Sequence, residues 1–200
     1  MDKRKEGSVV SKTITREAAL ALFQKYNQDE SLLRHALAVE AVMRHFANLF
    51  GEDEEKWGVI GLIHDLDYER YPDQHCIKVR EILTAEGWPE EYIRAVQSHG
   101  WEICCDVEPV ERMENVLYTI DELTGLIAAA ALVRPSKSIL DLQVKSVKKK
   151  WKDKTFAAGV NREVIAKGAA RLGMELDEVI KETIAGMQKV AAAIGLQGNL

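Results

Sequence analysis

Apolar residues recur at the α-helical period along almost the whole chain, and this pattern most narrows what the chain can fold into. Near the C-terminus Leu176, Val179, Ile180, Ile184, Met187, Ala191 and Ile194 fall on one stripe. Residues three and four apart share a helix face, so such a stripe buries one side of a helix against a core. Leu32, Val39, Val42 and Phe46 form another stripe, as do Tyr92 and Val96. No segment alternates convincingly with period two, and no Asn-Gly hairpin signal occurs. The reading is all-α, in a single domain, for which 200 residues are ample.

Local signals bound the elements. Thr13 or Thr15, Asp29 or Ser31, and Asp53 are predicted N-caps, because their side-chain oxygens accept from first-turn amides. Gly51, Gly87 and Gly100 are predicted stops, and Pro72 and Pro135 interrupt the pattern. Helices are predicted over 15–27, 29–50, 53–64, 73–86, 89–99, 110–133, 138–150, 161–172 and 176–194. Residues 1–12 are charged, lack the apolar block of a signal peptide and are expected to be a mobile tail.

Polar residues interrupt the inward stripes, and they are of one kind. His35 falls between Leu32 and Val39, His75 aligns with Val79 and Ile82, and His99 with Ala95 and Val96. Asp121 shares a face with Leu117, Thr124 and Ala128, and the doublet His64-Asp65 ends the apolar run 59–63. Each of the six is expected on a helix. An ionised Asp on an apolar face is costly without a partner, and a cation resolves the cost. Imidazole and carboxylate together suit a hard-to-borderline divalent metal. A carboxylate such as Asp65 can bridge two cations, whereas one imidazole nitrogen cannot.

Any one of these histidines alone would read as a satisfied core residue. The order His, His-Asp, His, His, Asp on inward faces is harder to reach by chance. On His35 in LLRHALAVE, His64 and Asp65 in GLIHDLDYE, and Asp121 in YTIDELTGL, the chain resembles the HD-domain superfamily of metal-dependent phosphohydrolases. The resemblance implies a helical bundle of HD-domain type, with a core over 13–135 and a C-terminal helical extension over 136–200 packed on the same domain. It implies that His35, His64, Asp65 and Asp121 hold a first metal. His75 and His99 stand where binuclear members carry ligands for a second, with Asp65 bridging. Tyr68 departs from the pattern, standing where many members carry lysine.

The implied activity is hydrolysis of a phosphate ester of a nucleotide or small metabolite by a metal-activated hydroxide. Asp65 and Asp67 are the catalytic candidates, Asp67 as general acid, with Glu69 a weaker choice. Arg34 and Lys78 are candidates for contacting the phosphate of a small-molecule substrate. The cofactor is one or two divalent ions, among which Fe, Mn, Mg, Ni, Co and Zn are not distinguished. Two alternatives stand beside this reading. One is a di-iron oxygenase of the myo-inositol oxygenase or phosphonate-cleaving type; the other is a non-catalytic HD-type binding module.

The remaining features carry less. A net charge of -5 excludes a globally basic surface for nucleic acid. The lysines at 148, 149, 150, 152 and 154 around Trp151 read as a solvated helix end. Cys76, Cys104 and Cys105 form no CxxC pair and read as reduced thiols, which with the absence of a signal peptide points to the cytoplasm. No apolar run approaches the roughly 20 residues that span a bilayer, so no membrane partner is expected. His45 and Glu122 read as structural or surface groups, and the tryptophans as packing. The last stripe leaves pairing with a second copy open.

Overall fold

A computed structural model describes residues 14–199, so the expected tail over 1–12 lies outside the described residues. The described residues form nine α-helices and no strand; a lone bridge joins Trp101 and Cys105. The helices are α1 (Arg16–Tyr26), α2 (Glu30–Phe50), α3 (Glu54–Ile63), α4 (Lys78–Ala85) and α5 (Glu90–Ser98). They continue with α6 (Arg112–Leu132), α7 (Val144–Trp151), α8 (Arg162–Leu172) and α9 (Leu176–Gln188).

The caps decide between the alternatives left by the sequence. Thr15 Oγ1 accepts from Ala18 N, Asp29 Oδ1 from Ser31 N, and Asp53 Oδ1 from Glu55 N and Lys56 N. Gly51 ends α2 at φ 71°, a left-handed conformation that costs glycine little.

The long helices α2 and α6 run through the centre and pack against each other. Helix α3 lies along α2, and α9 covers another side of α2. Gly61 allows the close approach of α3: a Cβ there would stand 2.9 Å from Met43 Cγ and 3.1 Å from the Val39 carbonyl oxygen. Helix α5 closes against α3 and α6, while α8 and α9 pack on α6. Helix α6 has the length and apolarity of a membrane span, but 67% of its apolar window is buried inside the fold, as for a core helix.

Three expectations on boundaries are corrected. The helix predicted over 73–86 begins only at Lys78, after a 3-10 turn at Pro72–Gln74. His75 therefore lies in a loop, with an extended ψ of 142°, and Cys76 follows at φ 64°. The helix predicted over 138–150 begins at Val144, because Ser138 turns the chain by accepting Leu140 N on its hydroxyl. The last helix stops at Gln188, where successive amides bond three residues back instead of four (Val190 N to Met187 O, Ala191 N to Gln188 O). Ile194 is still buried, since a tightened turn preserves the direction of the stripe.

Candidate metal centre

The fold carries His35 on α2 and Asp121 on α6 to the place where those helices meet. His64 and Asp65 lie at the end of α3, where the helix gives way to turns, and His99 caps the end of α5. Only two of the six residues thus sit inside helices. At a helix end consecutive side chains are no longer held to a fixed turn, and His64 and Asp65 can face the same centre.

The six side chains form two donor clusters that share Asp65. In the first, His35 Nε2 lies 3.1 Å from His64 Nε2 and 2.9 Å from Asp121 Oδ1. His64 Nε2 lies 3.3 Å from Asp121 Oδ1 and 3.3 Å from Asp65 Oδ2, and His35 Nε2 lies 3.6 Å from Asp65 Oδ2. In the second, His75 Nε2 lies 3.1 Å from His99 Nε2. Asp65 Oδ1 lies 3.5 Å from the first of these and 3.6 Å from the second. One carboxylate therefore turns one oxygen to each cluster.

These spacings fit a metal. Ligand atoms each about 2.0–2.2 Å from one cation, at tetrahedral or octahedral angles, stand roughly 2.8–3.6 Å apart. The tautomers point the same way. His64 Nδ1 donates to Gly61 O at 2.8 Å, His99 Nδ1 to Val96 O at 2.5 Å, and His75 Nδ1 to Asp67 Oδ1 at 2.8 Å. With Nδ1 carrying the proton, each Nε2 turns a bare lone pair to the cluster centre. The lone pairs of His75 and His99, facing one another at 3.1 Å, repel unless positive charge lies between them.

Electrostatics agree. Burial alone would lower His64, but the charges of Asp65 and Asp121 outweigh it and hold the imidazole well above its ordinary pKa. His99 is raised in the same way, chiefly by its hydrogen bond to Asp65 against the cost of burial. Burial would raise Asp65 and Asp121, yet their histidine neighbours hold both carboxyls well below the ordinary range. The clusters hold their anions only with positive charge at the centre, supplied by protons or by a cation.

The clusters form the floor of a cleft of about 410 Å³. Its walls include Leu32, Tyr68, Ile103, Cys104, Glu122 and Val160. Tyr68 sets its ring against the edge of His75, with centroids 5.1 Å apart. None of the described residues lining the cleft is lysine or arginine.

Four sequence candidates lie elsewhere. Asp67 is fully buried behind His75, not at the cleft, and its second oxygen accepts Val79 N at 2.7 Å. Both its oxygens are engaged, which corrects the expectation of a general acid. Arg34 pairs with Glu30 at 3.1 Å and borders an adjoining cavity of about 310 Å³, which meets the cleft only through His35 and Gly125. Lys78 pairs with Glu81 and lies over the Tyr71 ring. Glu69 accepts Gln28 N and Asp29 N, fixing the chain just ahead of α2.

Other residues gain a place that the sequence did not show. Glu122, expected at the surface, lines the cleft, with one oxygen accepting Asn161 N at 3.0 Å. Burial raises its carboxyl above the ordinary range. His45 pairs with Glu182 at 2.7 Å and is structural. Trp57 and Trp88 are core residues, and Trp101 packs on Tyr118 under Lys167.

The HD domain family model matches residues 32–145, more than half of the chain. The chain belongs to the HD domain family, within the superfamily of metal-dependent phosphohydrolases. The match runs from the start of α2 to the start of α7, leaving α1, α8 and α9 outside it. Neither a curated protein nor a solved structure matches the chain.

Proposed function

We propose that the protein is a metal-dependent phosphohydrolase that cleaves a phosphate ester of a nucleotide or other small metabolite. The observation that carries this reading is Asp65, which turns one oxygen to each of two donor clusters at the floor of a cleft. A cleft of about 410 Å³ suits a small substrate. His35, His64, Asp65 and Asp121 would hold one divalent cation, and Asp65, His75 and His99 a second. When bound, such ions supply Lewis acidity, easing loss of a proton from water and offsetting charge on phosphoryl oxygens.

The chain's own residues do the rest. Gly61 O, Val96 O and Asp67 hold the imidazoles in the tautomer that presents Nε2. Asp67 is a positioning residue. Among the described cleft-lining carboxyls only Glu122 stands outside the two clusters, and on that placement we assign it the delivery of a proton to the leaving oxygen. Leu32, Ile103 and Val160 provide an apolar wall against which a nucleoside or similar body can lie.

The test is phosphate release from a panel of nucleotides and phosphate monoesters, with Mn, Co, Ni, Zn, Mg and Fe supplied in turn. His64→Ala and Asp65→Ala should each abolish turnover while circular dichroism stays helical. Full activity in either variant would overturn the assignment.

One observation favours a second reading. With Tyr68 there and no lysine or arginine among the described residues of the cleft wall, phosphate charge would rest on the cations alone. That wall suits a less charged substrate such as a polyol, as for a di-iron oxygenase of the myo-inositol oxygenase type. Oxygen uptake by the iron-loaded protein would favour this reading, and anaerobic turnover with redox-inert ions would favour hydrolysis. Bound metal with no turnover in either assay would favour a binding module.

A further inference from the structure

Sulfur stands beside the second donor cluster, and neither reading above uses it. Cys76 directly follows His75, is fully buried, and holds φ 64°. A residue with a side chain rarely adopts that conformation unless its surroundings impose it. Cys76 Sγ lies 3.7 Å from His99 Nε2. His75, Cys76 and Cys104 offer donor atoms that all lie within 4.8 Å of one another.

The close approach depends on Gly100, the residue after His99. A Cβ there would stand 2.4 Å from both Cys76 Sγ and Cys104 Sγ. Only a residue without a side chain lets the two sulfurs close over this turn. Cys104 Sγ then donates to Cys76 Sγ across 3.1 Å. The arrangement parallels the one behind His75, where Asp67 orients a ligand from outside the cluster.

The N–S spacing is informative. A nitrogen about 2.0–2.1 Å and a sulfur about 2.3 Å from one tetrahedral cation stand roughly 3.5 Å apart. The separation of 3.7 Å between Cys76 Sγ and His99 Nε2 is close to that value. A purely structural buried cysteine packs among apolar groups; this one faces the bare nitrogen of an imidazole whose other nitrogen is bonded to Val96 O.

We propose that Cys76 is a ligand of the second metal position, joining His75, His99 and Asp65, with Cys104 as hydrogen-bond donor to its sulfur. The proposal rests on the two-cluster reading above. On binding, the thiol proton leaves to solvent and a sulfur–metal bond forms, with no change of oxidation state. A nitrogen, oxygen and sulfur donor set selects Zn²⁺, Co²⁺ or Fe²⁺ over Mg²⁺ and Mn²⁺ at this position. The first position, with two imidazoles and two carboxylates, has no such thiolate and discriminates less.

The experiment loads the full chain with Co²⁺, anaerobically and with a reductant that keeps the thiols from forming a disulfide. Bound cobalt is counted by elemental analysis, and the near-ultraviolet spectrum is read for thiolate-to-cobalt charge transfer. The expected result is two cobalt ions per chain and a charge-transfer band that Cys76→Ser removes and Cys104→Ser keeps. Two cobalt ions with no band in the unaltered chain would overturn the proposal and leave the two-cluster reading standing. So would a band that survives Cys76→Ser. One cobalt ion or none would overturn the two-cluster reading and this proposal with it. If Cys76→Ser fails to fold, absence of the band in the unaltered chain still overturns the proposal, and so does its loss from a Cys104→Ser/Cys105→Ser double variant, in which Cys76 is the one cysteine left.

Discussion

Asp67→Ala tests whether His75 is held by its neighbour or by chance packing. The carboxylate is fully buried, 2.8 Å from His75 Nδ1 and 2.7 Å from Val79 N. Hydrogen bonds to a charged group contribute about 1.5–3 kcal/mol each, so two amount to roughly 3–6 kcal/mol. Removing the buried charge returns part of that, since its own desolvation cost disappears, and a net loss of about 2–4 kcal/mol is expected. A domain of ordinary stability, roughly 5–15 kcal/mol, stays folded through that loss. The imidazole is then free to turn, and losing such an outer partner weakens metal binding about 10–100-fold. Asp67→Asn should fall between, because its amide oxygen can serve one donor while its NH₂ opposes the other. The assay pairs chemical denaturation of the metal-free protein with calorimetric titration of the second metal equivalent. Unchanged stability together with unchanged affinity in Asp67→Ala would refute the reasoning.

Chelation should lower Tm as well as remove turnover: metal at about 100 times its Kd stabilises by roughly 2.7 kcal/mol, or about 5–10 °C for a chain of this size. Differential scanning with and without chelator checks it. Gly168→Ala should destabilise by about 2–3 kcal/mol, because its Cβ would lie 2.1 Å from Thr119 Oγ1 and 3.1 Å from Thr119 Cα where α8 meets α6; denaturant titration measures the loss. Glu182 carries a pH dependence. Burial would raise its pKa, but Lys181 and His45 outweigh it and hold the carboxyl below the ordinary value. Its contribution is thus present above the unfolded carboxyl pKa and is lost as pH falls through the lowered folded one. Glu182→Gln should be less stable than the parent near neutrality, with the difference shrinking toward acid pH in paired denaturation curves.

Helical class was readable from the sequence because burial leaves a periodic trace. The stripe from Leu176 to Ile194 and the caps at Thr15, Asp29 and Asp53 record local free-energy preferences that act within a few residues. The donor types were readable too: His35, the His64-Asp65 doublet, His75, His99 and Asp121 are all at the centre. What periodicity misplaced was the ground they stand on. His64, Asp65, His75 and His99 lie at helix ends or in a loop, where side-chain direction is set by turns and not by the 3.6-residue repeat. Asp67, Arg34 and Lys78 were misread because a charge near a motif has no direction in sequence. The partners of Asp67 are an imidazole eight residues on and an amide twelve residues on, in a loop and a helix that only folding brings beside it. Cys76 gave no signal, since its meaning lies in His99 and Cys104, each more than twenty residues away. Sequence by itself determined the helical class and the His and Asp types that gather at the candidate centre. Tertiary packing decided which donors share a centre and which charges are left outside it, because those are distances between elements that no local preference encodes.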